Sequence, residues 1–404
     1  MRKRRFGKLA RALATVAAVL AMSCPAQTQT FKVLFNFSST TAGFNPYGAL
    51  LVHDGVLYGT AAAGGGSNVS CQGEGQTCGL VFQFDLKSGI ETVLHNFTGS
   101  PDGAAPYGGL FRDAAGNFYG TTYSGGDNND GTVFRIDASG SESVLHSFTG
   151  ADGYRPLAGV VGDVQGNLYG ATLGTSIGSE QGTLFRLDPA GALKTITSPG
   201  AVIGSLRLND HDLYGAESGG GAYNFGSIFR ANMKSGTVIT LRDFTGGADG
   251  GNPQGSLIAD ASGNLYGTAT CGGTVACSGG DGVVFMLNPH TGVETVLHVF
   301  GGYPDGVQPQ GQLALDSSGN LYGATAFGGG NVCNGGTIGC GTVFELTPPV
   351  TPGGAWGETI LHNFDGGDGY GPLGGVVLDS QGRLYGVAFW GAQNNTGTLF
   401  EITP

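Results

Sequence analysis

The sequence predicts an all-β protein, a closed seven-bladed β-propeller of four-stranded antiparallel blades, and three observations carry that prediction. The pentapeptide Gly-Asn-Leu-Tyr-Gly stands whole at 166–170, 263–267 and 319–323, and its tyrosine recurs as Tyr58, Tyr119, Tyr169, Tyr214, Tyr266, Tyr322 and Tyr385. Seven copies, 45 to 63 residues apart, mean one supersecondary unit stacked on itself rather than two or three separate domains. Glycine makes up 79 of 404 residues and charged residues only 12 %. Without a Gly-X-Y period, and with Val, Leu, Phe, Tyr and Thr abundant, this composition reads as short strands joined by tight turns. The third observation is a strand displaced from one end of the chain to the other.

Each repeat supplies four strands. In the second, residues 108–113 form a short strand and Ala-Ala-Gly-Asn turns it. Residues 117–122 form the next strand, with the signature tyrosine, and a Gly-, Asn- and Asp-rich loop follows at 123–130. Residues 131–137 and 142–148 complete the unit around an Ala-Ser-Gly turn. Four antiparallel strands with turn signals between them are the make-up of a propeller blade. Third strands open on Gly79, Gly131, Gly182, Gly226, Gly282, Gly341 and Gly397, each followed three residues on by phenylalanine. Fourth strands end on Phe97, Phe148, Phe244, Phe300 and Phe364, and the one near Lys194 to Thr197 is degenerate. The seventh repeat stops after its third strand, yet Lys32-Val-Leu-Phe-Asn-Phe37 before the first repeat matches Thr92-Val-Leu-His-Asn-Phe97. A ring whose first and last segments share a sheet has no open edge, so residues 31–37 are expected as the outermost strand of the last blade.

The first 26 residues read differently. Six Lys and Arg precede the apolar run 12–22, and Ser-Cys-Pro-Ala-Gln follows. This is the pattern of a secretory signal cleaved after Ala26, with the propeller occupying 27–404. Lipoprotein processing at Cys24 is the alternative, and Arg4-Arg5-Phe6 is a faint twin-arginine signal. No later apolar run is long enough to span a bilayer. Six of 18 Lys and Arg leave with the signal and none of 30 Asp and Glu does, so the mature charge is −18. A chain this acidic repels phosphate backbones and anionic lipid, which excludes nucleic acid as a natural partner.

The succession Leu-Tyr-Gly-Thr-Thr, Gly-Gly, Gly-Thr-Val-Phe, Val-Leu-His-x-Phe and Asp-Gly-x-x-Pro, in six or seven ordered copies, resembles the bacterial GloVer tandem-repeat family of "choice-of-anchor" surface proteins. The resemblance covers nearly the whole mature chain. It implies an exported bacterial protein, secreted, periplasmic or at the cell surface, and no particular activity. Members often carry a C-terminal sorting tail whose pattern is missing here, which leaves lipidation and free release as the alternatives.

Cys71 with Cys78, Cys271 with Cys277, and Cys333 with Cys340 each fall in one loop between second and third strands. Local pairs in an exported chain read as disulfides, each worth about 2 to 3 kcal/mol if unstrained. Asp-Gly-x-x-Pro opens five crossovers, at Asp102, Asp152, Asp249, Asp305 and Asp368. These carboxylates read either as oxygen ligands for calcium or as caps of their own turns, with Gly and Pro fixing the bend. Asp127 and Asp130 form a second candidate calcium loop with the same alternative. His95, His146, His298 and His362 share one outer-strand position and read as polar-edged packing residues, because a site needs different groups converging on one point. Gly174-Thr-Ser-Ile-Gly178 matches a nucleophile elbow only in letters, since that motif requires a strand-turn-helix context.

Strand alternation puts the second-to-third loops and the fourth-to-first crossovers on one face of the ring. That face collects the cysteine loops, the five aspartates and the loop aromatics Tyr123, Tyr223 and Trp390. Variable loops on a rigid scaffold carry binding residues, so a ligand is expected there, near the central opening. The leading expectation is a monomeric, non-catalytic module that binds a glycan, peptide or protein, with calcium as the one candidate cofactor. A carbohydrate-active hydrolase or lyase is the second reading and a purely structural envelope module the third.

Overall fold

The computed structural model describes residues 29–38, 41–65, 71, 77–174, 182–197, 200–277, 281–333, 339–351, 353–392 and 394–404. Residues 1–26, read as a signal and containing Cys24, and most of the Gly174–Gly178 match lie outside them. The described residues contain strands and turns and no helix. Seven antiparallel sheets of four or five strands follow one another in chain order as blades, and a two-stranded ribbon pairs Gly103–Ala104 with Ser124–Gly125. Blade 1 runs Leu51–His53, Val56–Ala63, Leu80–Asp85 and Ile90–Asn96 from the axis outward. Blades 2 to 6 occupy 111–147, 161–197, 207–243, 258–299, 306–363 in the same order. Blade 7 takes Val376–Leu378, Leu384–Ala388 and Thr398–Thr403 from the end of the chain and Thr30–Asn36 from its beginning.

The expected closure is present. Thr30–Asn36 pairs antiparallel with Thr398–Thr403, from Thr30 opposite Thr403 to Asn36 opposite Thr398. Phe37, fully buried, continues the seam by donating its backbone N–H to Gly397 O at 3.1 Å.

Each repeated residue has a packing reason. The signature glycine lies directly opposite the third-strand phenylalanine: Gly59 faces Phe82, Gly170 faces Phe185 and Gly323 faces Phe344. A Cβ on Gly170 would stand 2.4 Å from Phe185 Cζ, so the missing side chain is the space that the ring fills. Those phenylalanines are fully buried and pack edge-on against the last phenylalanine of the preceding blade, as Phe97 does on Phe134 at 5.0 Å. The signature tyrosine closes the first hairpin. Asn167 donates its backbone N–H and its amide to Asp163 at 2.9 and 2.8 Å, and Tyr169 OH donates to the same carboxylate at 2.8 Å. Asp113, Asp260 and Asp316 repeat the clasp, and Arg383 replaces the asparagine beside Asp379. Burial, with the bond to Asp163, pushes Tyr169 up to about 12.

Crossovers are tied to the blade they leave. The glycine that opens the third strand has a left-handed φ in six blades, +96° at Gly131 for example, and there the Asp-Gly-x-x-Pro proline or its counterpart Pro46 sits against it. Blade 3, where Gly182 meets Gly200 and Ala201 instead, is the exception. The residue before the proline is also left-handed at Ala105, Arg155, Asn252 and Gln308. Its N–H donates to the preceding loop in each, Arg155 to Asp130 O at 2.9 Å, which holds a conformation that non-glycine residues seldom adopt.

Outer strands of six blades carry a one-residue bulge. In blade 1 Val81 faces His95 while Phe82 faces Val93, so Leu94 is extra and packs into the layer between blades. The degenerate strand Leu193–Thr197 forms in blade 3 and runs in plain register without that bulge. All three loop disulfides are present, with Cα–Cα distances of 5.4, 4.8 and 5.3 Å for Cys71–Cys78, Cys271–Cys277 and Cys333–Cys340. They are the chemistry of an oxidising compartment. Among the described residues no helix is long and apolar enough to cross a membrane.

Candidate functional site

The axis of the ring is not an even tube. On the crossover face the inner strands begin with small residues whose backbones touch. A Cβ on Gly108 would lie 2.5 Å from Gly159 N, one on Gly255 2.2 Å from Gly311 O, and one on Gly374 2.5 Å from Tyr47 O. Thr121 Oγ1 donates to Ala158 O at 2.8 Å and Thr60 Oγ1 to Gly108 O at 3.1 Å, drawing each inner strand onto the blade before it. The opening there shrinks to about 50 Å³. Toward the opposite face the inner strands line a cavity of about 560 Å³, and a hollow of about 830 Å³ lies beside Arg112, Asp163 and His211 of blades 2 to 4. Long loops and wide cavity therefore lie on opposite faces, and the crossover face offers a ligand a shallow dish.

The rim of that dish is asymmetric. The residue after each crossover proline, or its counterpart, is Tyr47, Tyr107, Leu157, Ile203, Gln254, Gln310 and Leu373 in turn, all at the constriction. The two tyrosines belong to a longer chain of rings. Tyr370 stacks on Trp390 at 5.3 Å and 18°, and Trp390 meets Phe389 at 4.6 Å. Phe389 meets Tyr47 at 5.7 Å, Tyr47 meets Tyr107 at 5.3 Å and Tyr107 meets Tyr123 at 5.6 Å, each edge-on. The Arg155 guanidinium ends the arc, 4.7 Å from the Tyr123 ring and 4.8 Å from that of Tyr154, donating to Tyr123 OH at 2.7 Å. Every ring in the arc is half-buried, which leaves part of each open to solvent. Burial raises Tyr47, and burial ahead of the neighbouring charges raises Tyr154, so these hydroxyls stay protonated and can donate. Such rings give a large, rigid contact surface with polar edges.

Tyr123 and Trp390, chosen from sequence, are thus joined 267 positions apart. Tyr47, Tyr107, Tyr154, Tyr370, Phe389 and Arg155 escaped sequence reasoning. The usable signal was Pro-Tyr-Gly at 46–48 and 106–108, which follows the crossover turn and must face the axis. Tyr223 stands 58 % exposed in the blade 4 loop, outside the arc.

The five crossover aspartates lie elsewhere, each against the outer strand of its own blade. Asp102 meets His95 Nε2 at 3.2 Å, Asp152 meets His146 at 3.0 Å and Asp368 meets His362 at 2.7 Å. Asp249 accepts from Arg242 at 2.9 Å, and Asp305 lies 3.6 Å from His298 Nε2. Backbone N–H groups of the turn also donate to them, Gly103 to Asp102 at 2.7 Å and Gly306 to Asp305 at 2.6 Å. Burial works to raise Asp102, Asp305 and Asp368, but the histidine and the turn N–H groups outweigh it and hold all three below the ordinary carboxylate range. These aspartates organise turns at outer strands rather than edging the central opening. In the Asp127–Asp130 loop, Asn128 donates to Phe148 O and Gly125 N–H to Asn129 Oδ1. Neither aspartate belongs to a cluster of three or more metal-binding side chains among the described residues.

The histidines have a further neighbour that the sequence reading left out. A glutamate from the next blade's outer strand comes up to His95 as Glu142 and to His298 as Glu358. In blade 4 the position is Arg242, whose Nη2 bridges Asp249 and Glu294 at 2.9 Å each. One guanidinium between two carboxylates leaves a negative charge in excess, at a glutamate side chain only 3 % exposed. Burial accordingly pushes Glu294 up to about 7, Asp249 adding to the rise and Arg242 opposing it. Against an ordinary 4.5, folding takes up a proton between these values. The resulting stability is complete below 4.5 and lost as pH rises through 7. Thermal unfolding measured from pH 4 to 8 should show Glu294→Gln with a slope about one proton shallower than wild type; an unchanged slope would refute the assignment.

Blade 4 also departs at Glu217. Facing threonine hydroxyls meet at 2.8 Å in blades 2 and 3 and at 2.9 Å in blade 6. Glu217, fully buried, and Ser227 take those positions here, Ser227 Oγ donating to Glu217 Oε2 at 3.0 Å.

No curated protein matches the chain. Among solved structures it is similar to an oligogalacturonate lyase from Vibrio parahaemolyticus, with a TM-score of 0.57 at 12 % identity over 92 % of this chain and 93 % of that one. It is also similar to a candidate 6-phosphogluconolactonase from Bacteroides fragilis, with a TM-score of 0.53 at 16 % identity over 83 % of this chain and 88 % of that one. At such identities the likeness concerns the fold. The Gloeobacter/Verrucomicrobia repeat matches residues 20–173, 67–204 and 179–338, most of the length over which the seven blades are built. This chain is a member of the Gloeobacter/Verrucomicrobia repeat family.

Proposed function

We propose that this protein is an exported, non-catalytic binding module that holds a neutral glycan along the aromatic arc of its crossover face. The observation that carries the reading is the arc itself, six half-buried rings and an arginine in unbroken contact from Tyr370 to Arg155. A pyranose ring has apolar C–H faces and a polar hydroxyl rim. Aromatic faces receive the first, and tyrosine hydroxyls, the Arg155 guanidinium and the Gln254 and Gln310 amides bond to the second. A curved row of rings suits several linked sugars rather than one. The formal charge, −18 once the expected signal segment is removed, disfavours polyanionic chains by long-range repulsion, so the class is neutral. The glycine-packed constriction beneath the arc keeps the ligand on the surface of the crossover face.

Calorimetric titration with hexasaccharides of glucose, xylose and mannose, and with an oligogalacturonate as anionic control, tests this. One neutral series should bind, and Tyr107→Ala with Trp390→Ala should weaken it by about tenfold or more in protein that still unfolds cooperatively. Undiminished binding by that double variant would overturn the site. Binding or cleavage of the oligogalacturonate alone would overturn the ligand class and favour catalysis at the wide mouth.

A further inference from the structure

Where a crossover aspartate of one blade and an outer-strand glutamate of the next share a gap, their like charges favour a cation or a proton between them. Between blades 4 and 5 the chain supplies the cation as the Arg242 guanidinium, 2.9 Å from both carboxylates. Between blades 5 and 6 the same two carboxylates return as Asp305 and Glu358, but the arginine position is His298. We propose that His298, Asp305 and Glu358 form a divalent transition-metal site, suited to zinc, that clamps blade 5 to blade 6.

Three observations converge on it. His298 Nε2 lies 3.6 Å from Asp305 Oδ2 and 3.4 Å from Glu358 Oε1. The first is too long for a hydrogen bond, and both are close to the edge of a tetrahedron whose metal–ligand bonds are about 2.0 to 2.1 Å, roughly 3.3 to 3.4 Å. His298 Nε2 and Glu358 Oε1 are buried at the atom level and make no hydrogen bond, although they face one another. The three side chains keep 17 %, 22 % and 21 % of their surface, which leaves an approach for an ion and room for water as a fourth ligand. Asp305 is already aimed, because Gly301 and Gly306 N–H donate to it at 2.8 and 2.6 Å, the kind of outer support that fixes a ligating carboxylate. One imidazole and two carboxylates suit zinc and its neighbours. Calcium asks for six to eight oxygens.

The other blade boundaries sharpen the case. His362 meets Asp368 at 2.7 Å, but the glutamate position holds Phe31, whose ring stacks on the imidazole at 3.5 Å. With one carboxylate only, a direct hydrogen bond closes that gap. His95 and Asp102 are likewise hydrogen-bonded at 3.2 Å, with Glu142 beside them, so that boundary is the weaker relative of the blade 5–6 site.

The test uses the full chain, stripped with a chelator, and needs no glycan. Zinc at a hundredfold excess over Kd should raise the unfolding midpoint by about 3 °C, with one zinc per chain retained through gel filtration. H298R recreates the arrangement at Arg242, so it should fold with a midpoint at or above that of metal-free wild type and lose both the zinc response and the retained ion. H95R should keep both. No zinc response in wild type would overturn the proposal. So would an equal response to calcium, or one that survives H298R.

Discussion

Removing residues 30–37 is expected to lower the unfolding midpoint by more than about 10 °C and to make the chain aggregate. That segment supplies the outer strand of blade 7, paired with Thr398–Thr403 along its length with one bulge between Val33 and Phe35. Without it the edge of Thr398–Thr403 is an open row of backbone donors and acceptors able to recruit another chain. The loss is also apolar. Phe37 is fully buried, 5.2 Å from Phe82 and 5.1 Å from Phe35, while Phe31 packs on His362 and Phe400. Phe37→Ala alone should cost about 3 to 5 kcal/mol, the usual range for a large buried ring. Thermal unfolding and light scattering check both. A truncated chain that stays monomeric within about 2 °C of wild type would show that the ring holds without its seam.

Gly323→Ala should destabilise by at least about 3 kcal/mol, the upper part of the range for overpacked cores. The added Cβ would stand 2.4 Å from Phe344 Cζ and 2.6 Å from Leu313 Cδ2, and neither can retreat into a filled blade. Gly263→Ala, at a φ of +83° with nothing within 4 Å, isolates the backbone cost, about 1 to 2 kcal/mol. Phe344→Leu in the Gly323→Ala background should recover part of the loss, a coupling that distant residues do not show. Urea unfolding of these three variants and of Phe344→Leu alone reads this directly. Equal costs at Gly323 and Gly263 would mean that φ, and not the facing ring, explains the glycine.

Much of this was legible in the primary structure because the physics is local and is repeated seven times. Gly-Asn-Leu-Tyr-Gly, the third-strand phenylalanine and the turn residues each settle a hairpin within about thirty residues, and repetition separates signal from accident. The displaced strand at 32–37 was equally readable, since a four-strand unit with one member at the wrong end has a single way to close. Pairing of the six loop cysteines followed from nearness along the chain. The crossover aspartates were placed on the correct face but not at the correct radius, because nothing in Asp-Gly-x-x-Pro says that a histidine six or seven residues earlier will claim the carboxylate.

The sequence by itself determined the repeat unit, the number of blades, the closure and the disulfides, all of which rest on contacts within a blade or on its period. Only the tertiary structure decided what neighbouring blades share. Tyr123 and Trp390 join through Tyr107, Tyr47 and Phe389. His298 of blade 5 finds Glu358 of blade 6, and the glycines of the inner strands narrow the axis on the face where the loops are long. Those arrangements depend on the angle and distance at which one twisted sheet packs on the next. The side chains of every interface fix that angle together, and no short stretch of sequence contains it.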